Sequence, residues 1–305
     1  MKQKQPRELL SAERKRAGLS YDGILSSVFA IVLGLIVGLI ILFLCNPAQA
    51  LPGFATILTG AFTHGAKGIG QVFYYATPII LTGLSVGFAF KTGLFNIGTP
   101  GQFIMGGFGA VYVGILWTSL GPAHWFVALL ASVVMGAVWG LVPGLLKAYY
   151  NVNEVIASIM MNYIGMYLVN WIVKSSKPLF NNLRNESRNV AATANIPKMG
   201  LDKIFPGSSV NGGIIIAIIV VILIYLLLNK TTFGYELKAV GFNRDASKYA
   251  GINEKKSIIM SMMIAGAIAG LAGGLLYLAG TGKHIEIKDV LASEGFTGIS
   301  VALLG

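Results

Sequence analysis

The residue types that usually carry chemistry are sparse in this chain and badly spaced for it. Three histidines, His64, His124 and His284, stand far apart, and the single cysteine, Cys45, can form neither an internal disulfide nor a cysteine-rich metal site. The stretch "GTGKH" at 280–284 comes nearest to a phosphate-cradling loop. It fails because Tyr277 stands where such a loop needs its first glycine and His284 where it needs Ser or Thr. No nucleophile is paired with a base on facing apolar segments, so the sequence offers no catalytic residue, no metal ligand and no cofactor site of its own.

Two polar constellations remain. Glu154, Ser158 and Asn162 recur at i, i+4 and i+8 on one face of a helix, and Gly165 continues the stripe. Such a face cannot point at lipid, so it either packs on other helices through hydrogen bonds or touches a substrate. The second constellation is "KTGLFNIGTPGQFIMGGFGA", 91–110, where Asn96, Gly98, Pro100 and Gly101 interrupt an apolar pattern that then restarts. Thr99, Pro100 and Gln102 have the spacing of a capping box with proline at the first helical position. Backbone freed from a helix inside a membrane must be buried in protein or line a cavity. Phe95, Asn96 and Gln102, with Glu154, Ser158 and Asn162, are therefore candidates to line a pathway; the alternative, a surface turn between two ordinary helices beside Lys91, stays open.

The elements that would hold these residues are membrane spans. With 55% hydrophobic and 11% charged residues and 39 glycines, the composition is that of an all-α polytopic membrane protein. Apolar runs long enough to cross a bilayer fall at 24–44, 72–90, 103–120, 125–146, 155–173, 212–228 and 258–278, with a short last run at 290–304. Six Lys or Arg precede the first span, which is too long to be a cleaved signal peptide, so segment 1–22 is expected to be cytoplasmic and 23–305 to form the transmembrane domain. Alternation then puts 174–211 outside and 230–256 inside. The inner assignment agrees with its six cations against three acids, whereas the outer loop carries six cations against two acids and contests it. That outer loop reads as an ordered platform or a mobile loop. The net charge of +11 is explained by these membrane-flanking cations, without nucleic acid as a partner.

The region 83–109 is echoed at 270–305: a Gly-rich apolar helix, a polar break, then "GQFIMGGFGA" in one copy and "EGFTGISVALLG" in the other. The echo implies re-entrant segments and an internal repeat, and it leads us to expect further spans after the C-terminus, as if the chain were truncated. Gly83 with Gly87, and Gly266 with Gly270, have small-x-x-x-small spacing for close helix approach. Between the last long spans lies a charged insert, "GYELKAVGFNRDASKYAGINEKKS". Asn243 is a suitable N-cap, Gly251 a C-terminal cap, and Phe242, Ala246, Tyr249 and Ala250 share a face, giving a short amphipathic helix that either docks a partner or lies on lipid headgroups.

"TTFGYELKAVGFNRDASKYAGI" resembles the cytoplasmic coupling segment of ABC importer permeases for simple sugars, nucleosides and branched-chain amino acids. "GLSVGFAFKTGLFNIGTPGQFIMGG", "NVNEVIASIMMNYI" and "GFTGISVALLG" are similar to three further blocks of that family in the same order, and the likeness is strongest to nucleoside permeases. The resemblance implies a permease of a bacterial cytoplasmic membrane, working by alternating access. Its partners would be a cytoplasmic ABC ATPase that binds ATP-Mg, a second and different permease, and an extracytoplasmic substrate-binding lipoprotein. By the same resemblance Gly234, Leu237, Ala239, Val240, Gly241, Asn243, Ala246 and Gly251 would form the ATPase contact. Other readings are a sugar or branched-chain amino acid permease, or an ion-coupled secondary transporter, which has no need of the docking insert.

Overall fold

An apolar segment in lipid can satisfy its backbone only as a helix or a closed barrel, and helix dominates the described residues. The computed structural model describes residues 21–304; residues 1–20, most of the expected cytoplasmic segment, lie outside the described residues. One compact unit contains α1 (Tyr21–Cys45) and α2 (Pro47–Thr63). The second, His64–Leu303, contains α3 (Gly65–Lys91), α4 (Thr99–Leu116), α5 (His124–Tyr150) and α6 (Glu154–Ser175). A small hairpin follows, β1 (Phe180–Asn181) and β2 (Glu186–Ser187), then the single turn α7 (Leu201–Ile204) and α8 (Gly213–Lys230). The unit closes with α9 (Thr232–Phe242), α10 (Arg244–Tyr249), α11 (Glu254–Tyr277) and α12 (Ser293–Leu304).

Among the described residues six helices are long and apolar enough to cross a membrane: α1, α3, α5, α6, α8 and α11. The seventh expected span, 103–120, forms as α4 but starts at Thr99 and is buried almost all round, so its surface meets protein. The stretch between the apolar runs at 24–44 and 72–90 is helical through Thr63 despite Pro52, and α3 then begins at Gly65, ahead of the apolar run expected from 72.

Helix α11 is the axis of the second unit, packed against α3, α4 and α5. Its small residues permit this. A Cβ added at Gly266 would collide with the Gly136 carbonyl oxygen, and one added at Gly136 with the Gly266 carbonyl, so α5 and α11 touch backbone to backbone. Gly270 faces Gly136 on α5 and Gly106 on α4, which makes it the point where three helices meet. The other expected pair behaves differently: Gly83 lies beside Val301 and Gly298, while a Cβ added at Gly87 would meet nothing within 4 Å, so spacing alone overstated its role.

The two halves of the echo run in opposite senses. Tyr74, early in α3, hydrogen-bonds Thr281 beyond the end of α11 (3.1 Å), and Thr92, just past α3, meets Ser261 near the start of α11. After each of these helices the chain breaks and a new helix starts, α4 or α12. The two restarts meet: a Cβ on Gly295 would strike Pro100, and Thr82 donates to the Glu294 carbonyl at 3.0 Å. This contact lies far from either end of α3, since Thr82 is well inside that helix.

The loop 176–212 is ordered. Arg188 N–H donates to Leu179 O (2.7 Å), Ala191 N–H to Gly114 O (2.9 Å) and Ile196 N–H to Leu278 O (2.9 Å), while Leu179, Ala194 and Ile196 are buried. It forms a platform over the C-terminal end of α11, some 36 Å by helix rise from α10 at the other end.

Overpacking predicts a sharp contrast. Gly270→Val should destabilise the detergent-solubilised protein by about 1–3 kcal/mol or abolish its folding, whereas Gly87→Ala should leave thermal unfolding within about 1 kcal/mol of the parent.

Candidate functional site

The break between α3 and α4 is built from short-range hydrogen bonds that close on themselves. Helix α3 ends at Lys91; Gly93 takes a positive φ of 75°, and Leu94 N–H returns to Ala89 O at 2.9 Å. The chain then turns inward, so Leu94 and Asn96 are buried rather than at a surface turn. Asn96 and Gln102 exchange two side-chain hydrogen bonds, Asn96 Nδ2 donating to Gln102 Oε1 (2.8 Å) and Gln102 Nε2 to Asn96 Oδ1 (3.1 Å). Asn96 Nδ2 also reaches Ser85 Oγ (3.2 Å), and Ser85 Oγ donates to Ala265 O (2.7 Å), halfway along α11.

The expected capping box does not form. Thr99 Oγ1 donates back to Asn96 O (3.0 Å), and Gln102 is engaged by Asn96. The orphan amide of the first turn of α4 is capped from another helix instead: Gly101 N–H donates to Asn162 Oδ1 (2.8 Å), and Asn162 Nδ2 donates to Ile97 O (3.0 Å). A side chain from α6 thus satisfies one donor and one acceptor that the break exposes. Neither is visible from local spacing.

Of the sequence-derived pathway candidates, the structure brings Asn96, Gln102, Ser158 and Asn162 together. Ser158 Oγ is buried there with no hydrogen-bond partner, and its Cβ lies against Gly98. Phe95 is half-buried and stacks on Phe90 with centroids 4.9 Å apart. Glu154 is apart from the cluster, at the start of α6, in an ion pair with Lys147 (2.9 Å). Ser85 belongs to the cluster but was missed, as was the separate Thr92–Ser261 pair; the only signal of each is a hydroxyl in or beside an otherwise apolar helix.

The charged insert forms a second construction at the N-terminal end of α11. Three caps fix it: Thr231 Oγ1 accepts from Gly234 N–H (3.0 Å), Asn243 Oδ1 from Ala246 N–H (3.0 Å) and Asn253 Oδ1 from Lys256 N–H (3.0 Å). Gly251, φ 82°, ends α10, with Ile252 N–H returning to Ser247 O (3.0 Å). Arg244 forks onto Glu254 (2.7 and 3.3 Å), tying α10 to α11.

The residues assigned to this segment divide by face. Gly234, Leu237 and Val240 are buried inward, Gly234 against Leu228. Ala239, Asn243 and Ala246 border an open groove of about 730 Å³ together with Tyr235, Phe242 and Ala250. Phe242 and Tyr249 are 96% and 95% exposed, so an apolar aromatic surface faces away from the protein. Gly241 joins the two constructions. A Cβ on it would strike Thr92 C (2.5 Å), and one on Gly93 would strike the Gly241 backbone, so the insert and the break touch without an intervening side chain.

The family described as branched-chain amino acid transport system / permease component matches residues 68–305, which include both constructions. The chain belongs to this permease family. With its six candidate spans it is a multi-pass membrane protein. It is 39% identical to the guanosine ABC transporter permease protein NupP of Bacillus subtilis, over 92% of this chain and 79% of that protein. It is 36% identical to the nucleoside ABC transporter permease protein NupB of Lactococcus lactis, over 92% and 78%. It is 30% identical to the glucose ABC transporter permease protein TsgB13 of Haloferax volcanii, over 83% and 66%. No solved structure matches the chain.

If Asn162 caps the break, Asn162→Ala strands a buried donor and a buried acceptor and should cost about 1–3 kcal/mol for each. Glu154→Gln, which removes a partly solvated ion pair, should cost under about 1 kcal/mol. Thermal unfolding of the two variants in detergent checks the contrast.

Proposed function

We propose that this chain is the membrane-spanning subunit of an ATP-driven importer of nucleosides, coupled through α9 and α10 to a separate cytoplasmic ATPase. The observation that carries this reading is the exposed aromatic face of the insert, Phe242 and Tyr249, mounted on a segment whose Gly241 abuts the helix break. An aromatic surface on a segment with three caps and an ion-pair fork is suited to receive a partner, and its backbone contact with the break gives that partner purchase on the membrane core. The nucleoside assignment draws on the two relatives with that substrate class in their names, at 39% and 36% identity.

In this reading the insert, with six cations against three acids, lies on the cytoplasmic side, and the ordered platform at 176–212 faces out toward a substrate-binding lipoprotein. ATP-Mg is bound by the ATPase and not by this chain. A second permease of the same family completes the pathway, and the two halves rock between inward-facing and outward-facing states as the ATPase closes and opens. The break around Asn96, Gln102, Ser158 and Asn162 is the part of this chain that lies beside the path.

Two substitutions separate docking from coupling. Phe242→Ala should reduce co-purification of the ATPase while the permease still reaches the membrane. Gly241→Val should leave the ATPase bound but weaken the link between ATP hydrolysis and nucleoside uptake, because the break must shift to admit the side chain. Measuring both recovery of the ATPase and uptake per ATP hydrolysed checks this. Full coupling in Gly241→Val would contradict it.

A further inference from the structure

Ser158 is enclosed on every side by this chain, 0% exposed, so neither lipid nor a partner subunit reaches it. Its Oγ is nevertheless the one buried side-chain oxygen or nitrogen in the six candidate spans that has no hydrogen-bond partner among the described residues. Other hydroxyls inside these helices avoid that cost by folding back on their own backbone: Thr77 donates to Phe73 O (2.7 Å) and Ser132 to Leu129 O (2.6 Å). Ser158 makes no such bond, and its Cβ lies against the helix break.

The break is held from two sides. On the α3 side, Asn96 Nδ2 donates to Ser85 Oγ (3.2 Å), and the turn before Asn96 rests on the insert through Gly93 and Gly241. On the α6 side, Asn162 holds Ile97 O and Gly101 N–H. The Asn96 side chain bridges the seam between them: Oδ1 accepts from Gly98 N–H (3.2 Å), and two further bonds are exchanged with Gln102. If the two sides part, Gly98 N–H loses its acceptor and Gln102 Oε1 its donor. Ser158 stands at that spot, on the α6 side of the seam. A Cβ built on Gly98 would lie 3.2 Å from each of Asn96 Oδ1, Gln102 Nε2 and Ser158 Cβ. A hydroxyl both donates and accepts, so this one side chain can supply both missing partners.

We infer that Ser158 is a positioning residue for a second state of the break, in which Asn96 moves away with the insert and the Ser158 hydroxyl accepts from Gly98 N–H and donates to Gln102 Oε1. The unpaired oxygen of the described state is a partner held ready, and the break has two hydrogen-bonded arrangements instead of one paired state and one with stranded amides. The inference rests on the importer reading above, because the push that parts the seam comes through the insert.

Hydrogen–deuterium exchange of segment 95–102, read by mass spectrometry in the complex purified with its partner subunits, reports both states, without nucleotide and with a non-hydrolysable ATP analogue bound. The parent should be protected in both. Ser158→Ala should match the parent without nucleotide, since it removes a hydroxyl that bonds to nothing there, and its melting temperature should equal or exceed the parent's. With the analogue bound, the same variant should exchange about tenfold faster in this segment, the scale set by one unpaired buried amide, and uptake per ATP hydrolysed should fall by a similar factor. Asn162→Ala, whose bonds belong to the described state, should already exchange faster without nucleotide. Faster exchange of Ser158→Ala without nucleotide would overturn the inference, because the hydroxyl would then be paired in the described state. Parental exchange with the analogue bound would overturn it too, whatever the uptake, and would leave the importer reading intact. A parent complex from which no ATPase is recovered would overturn the importer reading itself, and this inference with it.

Discussion

Inside hydrocarbon a backbone amide released from its helix has no water to accept its proton, and each one left unpaired costs several kcal/mol. A helix can break there only if other parts of the protein supply the missing partners. Everything around the α3–α4 break follows from that demand. Asn96 serves its own loop and Gln102, Asn162 reaches over from α6 to cap α4, and Ser85 carries the network to the backbone of α11. Four helices are held in register by one break. Close approach makes this possible, since glycines at Gly136, Gly266 and Gly270 let α4, α5 and α11 come near enough for short side chains to span the gaps.

The same logic gives the break its place in the proposed importer. Side chains at an interface can change rotamer and absorb a small displacement, whereas backbone against backbone leaves little slack. The insert meets the break through Gly241 and Gly93, the latter in a left-handed conformation that suits glycine. Arg244 and Glu254 hold α10 to α11 within 2.7 Å. In the proposed importer, a push on the exposed aromatics Phe242 of α9 and Tyr249 of α10 would therefore be delivered to the turn that precedes Asn96. In the proposed importer the energy of transport comes from the ATPase, and this chain would contribute the connection and a pathway wall.

Much of this was legible in the sequence because it depends on local signals. Apolar run length gave the spans, and Asn243 and Gly251 gave the ends of α10, since a cap and a left-handed glycine act on their immediate neighbours. Asn96 and Gln102 stood out because two amides interrupt an apolar pattern. Most of the failures are non-local. The Thr99 and Gln102 spacing matched a capping box, yet Asn162, more than sixty residues away in sequence, took over the cap. Gly87 shared the spacing of Gly83 but leaves room for a side chain, because spacing fixes a helix face and not what lies opposite it. One failure is local: helix α2 escaped notice because its Pro and Gly content weakens the helical signal.

The claim that the insert and the break move as one piece can be measured directly. Spin labels placed at Lys91 and Tyr249, in a background with Cys45 replaced by Ser, report their separation in the assembled complex by pulsed electron resonance, without nucleotide and with ATP bound. The account predicts a distance distribution that stays the same in both states while the pair moves together. A shift on the order of one helical turn, about 5.4 Å, between the two labels would contradict it, because the insert would then slide past the break instead of carrying it.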